Sequence, residues 1–164
     1  MVSIVDLGDW ADNLEKAYDL PLKDQARITD AGAKVLKKNM ESYIRERHYT
    51  NRKTGNDPHL ADSVIEKPTN INGSIDGTST VGFDPKKAYI ARFISDGTRH
   101  VVYDASVTRT RHDKAGNLYA RGGRKAINGD DFINKVRNAS LNEIFKAENA
   151  EYQKILKEKG ISGV

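Results

Sequence analysis

From Leu22 onward the chain carries a pattern that limits what the rest can be. Ala26, Ala33, Leu36, Met40 and Tyr43 recur at steps of three, four and seven, with Lys, Arg, Asp and Glu between them. That is the spacing of one face of a 3.6-residue helix, and good helix formers fill the remaining positions. The pattern predicts a helix over about 22–48. Pro21 stands just before it, where a missing N–H costs little. Gly32 inside it marks close packing. A helix this long with a single apolar stripe must bury that stripe against a second layer, so the fold depends on what the other residues supply.

They supply a small sheet and two more helices. Leu60 to Lys67 reads as a strand, Asn70 to Gly77 as a turn region, and Thr78 to Phe83 as a second, antiparallel strand. Ile90, Phe93 and Ile94 have helical spacing, so Lys86 to Ser95 reads as a short helix stopped at Gly97. Val101 to Arg111 is rich in β-branched residues. Asp113 to Gly116 is a turn and Asn117 to Arg121 returns, which makes a β-hairpin arm. Phe132, Val136, Ala139, Ile144 and Phe145 then mark a last helix. Beyond Ala147 only Tyr152, Ile155 and Leu156 remain on one side, a stripe suited to a neighbour or a fraying tail. A first short helix is expected over Ser3 to Asp19, with Trp10, Leu14 and Ala17 on one side.

The expected fold class is therefore α+β: long N-terminal and C-terminal helices packed on a small antiparallel sheet, with a projecting β-hairpin arm. At 164 residues one domain is expected. Within it lie an N-terminal segment (1–20), a polar mobile loop (45–59), the basic arm (99–128) and a polar C-terminal helix or tail (146–164).

Composition narrows function. Hydrophobic residues make up 37% and charged residues 30%, against about 45–50% and 25% in typical domains. Part of the surface is thus expected to bury only in an assembly. Cysteine is absent, which removes disulfides and thiolate metal sites. No stretch approaches the roughly 20 apolar residues of a membrane span, and the N-terminus lacks the basic start and apolar run of a secretory signal. No membrane role is expected. The net charge is +4, yet Arg99 to Lys125 alone holds seven Lys or Arg against two acids. A basic cluster of that kind suits nucleic acid or an acidic protein face.

Catalytic chemistry finds no foothold. His48, His59, His100 and His112 have no metal-ligand spacing and read as solvated. Ser63, Ser95 and Ser106 lack a nucleophile-elbow context. Asp130 and Asp131 precede a helix, where acids cap and favour the positive dipole end. Arg121-Gly-Gly-Arg124 lacks the Lys-Ser/Thr of a phosphate loop. No catalytic residue, metal or cofactor is expected. The arm mixes Val102, Tyr103, Leu118 and Tyr119 with Arg99, Arg109, Arg111, Arg121 and Arg124, a blend common at interface cores. These nine residues are the candidates for an assembly interface or a lumen lining.

Three short patterns in order resemble a known family. Thr54-Gly55 is followed by Leu60 and Ser63; Tyr89 and Ala91 lead to Gly97-Thr98; and Phe132-Ile133 opens the last helix. The order and spacing, over residues 22–145, resemble the gene-product-ten-like minor tail or tail-completion proteins of tailed bacteriophages. Departures are Ser95, Asp96 and Asp131, where the family usually has Glu, an aromatic and Pro. The resemblance makes Gly55, Leu60, Ser63, Tyr89, Gly97, Thr98 and Phe132 fold determinants. It implies a non-enzymatic virion protein at the head–tail junction, assembled in the host cytoplasm. It would form a homo-oligomeric ring, six-fold by tail symmetry, beside neck, connector and tail proteins, with non-specific contact to passing genomic DNA. The alternative is a sequence-nonspecific nucleic-acid-binding module that uses the basic arm.

Overall fold

The computed structural model describes residues 19–51, 57–98, 110–112, 118–120 and 128–161. Helix α1 spans Leu22–Arg47. Pro21 leads into it, and its carbonyl accepts the N–H groups of Asp24 and Gln25. Asp24 in the first turn and Arg45 and Arg47 in the last match the helix dipole. A 3-10 turn, Leu60–Ser63, then feeds strand β1, Val64–Lys67. Strand β2, Thr80–Phe83, pairs antiparallel with β1, placing Val64 opposite Phe83 and Lys67 opposite Thr80. Helix α2, Pro85–Asp96, starts with Pro85 in its first turn and the Asp84 carboxylate accepting from the Lys86 N–H. It stops at Gly97, whose φ of 80° is in glycine territory. Strands β3, Thr110–His112, and β4, Leu118–Ala120, pair antiparallel. Helix α3, Phe132–Glu158, ends the described chain apart from a short turn.

The fold is α+β, with two long helices and a small antiparallel sheet. Helix α1 is its spine. On one flank α3 runs antiparallel to it, shown by Asn39 bonded to Ser140 and Glu143, Arg27 to Glu151 and Glu158, and Lys159 paired with Asp24. On another flank lies the β1–β2 hairpin, where the Thr29 hydroxyl donates to the Gly77 carbonyl and Lys37 pairs with Glu66. Helix α2 closes the remaining end. Met40, Ile44, Ala61, Val64, Ala91, Phe132 and Val136 form the core between these layers.

Three expectations need correction. The strand read from Leu60 begins only at Val64, because the Ser63 hydroxyl donates to the Leu60 carbonyl at 2.7 Å and Asp62 N–H to His59, closing a turn first. The 45–59 loop starts later than its polarity suggests: Arg45 to Arg47 are helical, and Arg45 pairs with Asp62. Its far end is held too, with the Tyr49 and His59 rings 4.6 Å apart and Asp57 on Lys87. Of two readings for it, helix or fraying tail, the C-terminal stretch from 146 takes the helix and not the tail. It is helical to Glu158, and Ile155 and Leu156 are buried within the chain itself. The turn there has Gly160 at φ 70° and the Ile161 N–H on the Leu156 carbonyl, with their side chains in one cluster. That is the bond and apolar contact of a Schellman stop. The Ser3 to Asp19 helix lies outside the described residues apart from Asp19, which is not helical.

Candidate functional site

The candidate surface begins at the root of the arm. Helix α2 ends at Gly97 and the chain returns at Gly129, and these two glycines meet. A Cβ on Gly129 would lie 2.5 Å from the Asp96 carbonyl carbon and 2.6 Å from the Gly97 nitrogen. The returning backbone is bonded to α2, Asp130 N–H to the Ile94 carbonyl at 3.2 Å and Asp131 N–H to that of Ser95 at 2.9 Å. Residues 98–128 therefore leave and re-enter at one point, and α2 and α3 are joined beneath it without them.

One polar contact locks this root to α1. The Asp130 carboxylate accepts the Phe132 N–H on one oxygen and meets His48 Nε2 at 2.8 Å on the other. The His48 ring sits 5.4 Å from that of Phe132, which is fully buried and stacks on Tyr43 at 6.1 Å. His48 is thus a structural partner and not a solvated side chain. Capping at this helix start falls to Asp130. Asp131 adopts a left-handed conformation and its carboxylate takes the Asn134 amide instead.

Around this frame the described residues group large exposed apolar side chains in three places, with Leu22 and Tyr49 exposed singly. The outer face of the β1–β2 hairpin carries Ile65, Ile75 and Ile71, the last 90% exposed. Ile65 and Ile71 line a trough of about 480 Å³ that opens over Gly82, where a Cβ would touch nothing within 4 Å. Helix α2 presents Tyr89 and Phe93 edge to face at 5.9 Å. Helix α3 presents Leu141 and Phe145.

The charged groups described here serve the frame. Lys37 beside Glu66 and Arg27 beside Glu158 hold both carboxyls below their usual range. Burial against the α1 crossing near Gly32 pushes the Glu148 carboxyl up. Lys87 is buried yet paired with Asp57 at 2.5 Å. Among the described residues, no group of His, Asp and Glu could hold a metal ion. No helix there is long and apolar enough to cross a membrane.

The named sequence candidates fall unevenly. Ser63 is buried, Leu60 packs partly against the core, and Thr98 stands at the arm root. Tyr89 is exposed, so its ring adds nothing to the core. In the arm, Arg111 pairs with Tyr119 in the β3–β4 ladder, and Leu118 with His112. Arg99, Val102, Tyr103, Arg109, Arg121, Arg124 and Gly55 lie outside the described residues. Sequence reasoning missed His48 and Gly129. An aromatic neighbour, Tyr49, and a Gly-Asp-Asp-Phe run were the signals available for them.

Comparison with known proteins supplies the rest. No curated protein and no solved structure matches the chain. The family described as "Bacteriophage HK97-gp10, putative tail-component" matches residues 9–97. The match runs from the N-terminal segment through α1, the hairpin and α2, and ends at the arm root. Phe132-Ile133, counted in the resemblance, lies beyond it. The chain belongs to the HK97-gp10-like family of bacteriophage tail components.

Proposed function

We propose that this tail component is a non-enzymatic subunit of a ring that completes the tail at the head–tail junction, six copies surrounding the path of the DNA. Family membership supports a structural virion role beside other tail proteins. The observation that carries the ring is the pair of separate apolar surfaces on one small subunit. Ile65, Ile71 and Ile75 lie on the hairpin, and Tyr89 and Phe93 on α2. Head-to-tail closure needs two different, complementary patches per subunit, whereas a two-fold dimer needs only one. The arm leaves from the end of α2, and its Val102, Tyr103, Leu118 and Tyr119 are proposed as further apolar anchors for a neighbouring subunit. Arg99, Arg109, Arg111, Arg121 and Arg124 then meet acidic partners or line the lumen.

The test uses Ile71→Asp and Phe93→Asp in sedimentation experiments. Each variant alone should stay monomeric where the wild type forms rings. Their mixture should stop at dimers, because only one intact interface can form between them. Rings from either variant, or a dimer as the wild type's final state, overturn the proposal. Duplex-DNA binding by the monomer with steep salt dependence, without rings, would make the basic arm a nucleic-acid-binding element instead.

A further inference from the structure

The loop that joins strands β1 and β2 is built around one side chain. Asn70 Oδ1 accepts the N–H groups of Asn72 at 3.0 Å and Ser74 at 2.9 Å. The Asn70 carbonyl accepts the Gly73 N–H at 3.0 Å, and Asn70 Nδ2 donates to Asp76 at 2.8 Å. Within this clamp sits the pair Asn72-Gly73. Asn72 is exposed, and its side-chain carboxamide has no partner among the described residues. Gly73 has φ 84°, and a Cβ there would meet nothing within 4 Å. Its amide nitrogen is therefore shielded by no side chain. One bond at the surface holds its N–H, and water competes for that bond.

We infer that Asn72 is a site of spontaneous deamidation in the free subunit, at a rate set by the Asn70 clamp. Hydroxide takes the Gly73 amide proton, and the nitrogen attacks Asn72 Cγ. The new N–Cγ bond closes a succinimide ring. The bond from Cγ to the side-chain nitrogen breaks, and ammonia leaves with a proton from water. Water then opens the ring. Cleavage of the new N–Cγ bond leaves an aspartate. Cleavage at the former peptide carbonyl leaves an isoaspartate, whose main chain runs through the side-chain carbon. Either product carries a carboxylate, and the balance needs only water and hydroxide.

A second pair of the same kind, Asn128-Gly129, sets the contrast. Gly129 is wedged against the backbone of Asp96 and Gly97, and the next two N–H groups are bonded to α2. Ring closure there requires the root to open, and about 1.4 kcal/mol of opening slows it about tenfold. The Asn72 loop has one exposed bond to release. Its position gives the change a consequence, because Asn72 lines the trough beside Ile71. A carboxylate there charges an apolar surface. The longer isoaspartate backbone also cannot keep the Asn72, Gly73 and Ser74 N–H groups on Asn70 together. The effect on assembly rests on the ring reading above: a subunit left unassembled loses its hairpin contact with age, while one in a ring has it covered.

Peptide mass mapping of the folded full chain, incubated at mildly alkaline pH, reads the modification directly. Asn72 should gain the mass of an amide-to-acid conversion before any other asparagine, with isoaspartate among the products. It should run at least about tenfold ahead of Asn128. Asn70→Ala should speed the conversion severalfold while the circular dichroism spectrum stays that of the wild type. Conversion of Asn128 first overturns the inference, as does conversion of Asn72 only in the denatured chain. An Asn70→Ala chain that converts at the wild-type rate overturns it too. Assembly is measured separately by sedimentation, where Asn72→Asp should lower the yield of rings severalfold. An equal yield overturns the ageing effect. A wild type without rings overturns the ring reading alone, and the mass map still decides the modification.

Discussion

Removing the ring of Phe132 should cost more than any other single truncation in the described core. Its side chain is fully buried. It stacks on Tyr43, meets Phe83 edge-on at 6.2 Å and lies against His48. Core Phe→Ala changes cost about 3–5 kcal/mol, more where the surroundings cannot collapse. Collapse is hindered here. Tyr43 and His48 are fixed on α1 and its cap, Phe83 is fixed by its pairing with Val64, and Asp130 holds the Phe132 backbone itself. Lost aromatic pair geometry adds about 0.5–1.5 kcal/mol per pair, so the expectation lies in the upper half of the range, about 4–5 kcal/mol. The assay is urea denaturation followed by circular dichroism. With a slope of about 2 kcal/mol/M, the midpoint should fall by about 2 M at unchanged slope. Ile71→Ala, at a site 90% exposed, is the control and should stay within about 0.5 kcal/mol. A Phe132→Ala loss below about 1 kcal/mol would refute the account of this core.

Four further outcomes follow from the geometry. Gly97→Val should destabilise by about 1–3 kcal/mol, because φ 80° with ψ 178° is a glycine conformation; an unchanged melting temperature would refute this. Gly129→Ala should also lower the melting temperature, by an overpacking cost of about 1–3 kcal/mol, since its Cβ would strike the Asp96 backbone. Replacing residues 104–121 by a short Gly-Ser linker should move it little, and that contrast separates the root from the arm. Glu148→Gln should stabilise the protein at neutral pH. Burial raises the Glu148 carboxyl above its unfolded value, so ionisation favours the unfolded chain. The gain should be absent below the unfolded value of about 4.3 and grow as pH rises through the raised folded value; a gain independent of pH would contradict it.

Much of the fold was legible because periodicity is local. The α1 spacing, the helical spacing of Ile90, Phe93 and Ile94, and the Gly97 stop each act within a few residues. The helix ends accordingly agree with the sequence to within a residue for α1 and α2. The β1 boundary was missed because a serine hydroxyl competed for the backbone of Leu60, a choice β-propensity does not register. The end of α3 was left between helix and tail for the opposite reason. Its apolar residues are few, but Ile161 returns past Gly160 to cover Leu156, so burial there depends on a turn more than on a stripe.

The candidate site was less legible, since its parts are distant in sequence. His48 and Asp130 lie 82 positions apart, and neither carries a pattern that predicts the other. The same holds for Gly97 and Gly129, whose contact makes the intervening segment an insertion into an α2–α3 unit already closed by backbone bonds. This closure has a consequence for assembly. A segment whose two ends are pinned at one point can be ordered by a partner without transmitting strain to the core, because no described core residue lies between the pins. Ordering a segment costs about 1–2 kcal/mol per residue fixed, so whatever partner fixes one must supply that much in contacts. The arm's mixture of Val102, Tyr103, Leu118 and Tyr119 with arginines fits the interface role proposed for it, with apolar side chains for burial and cations for the choice of partner.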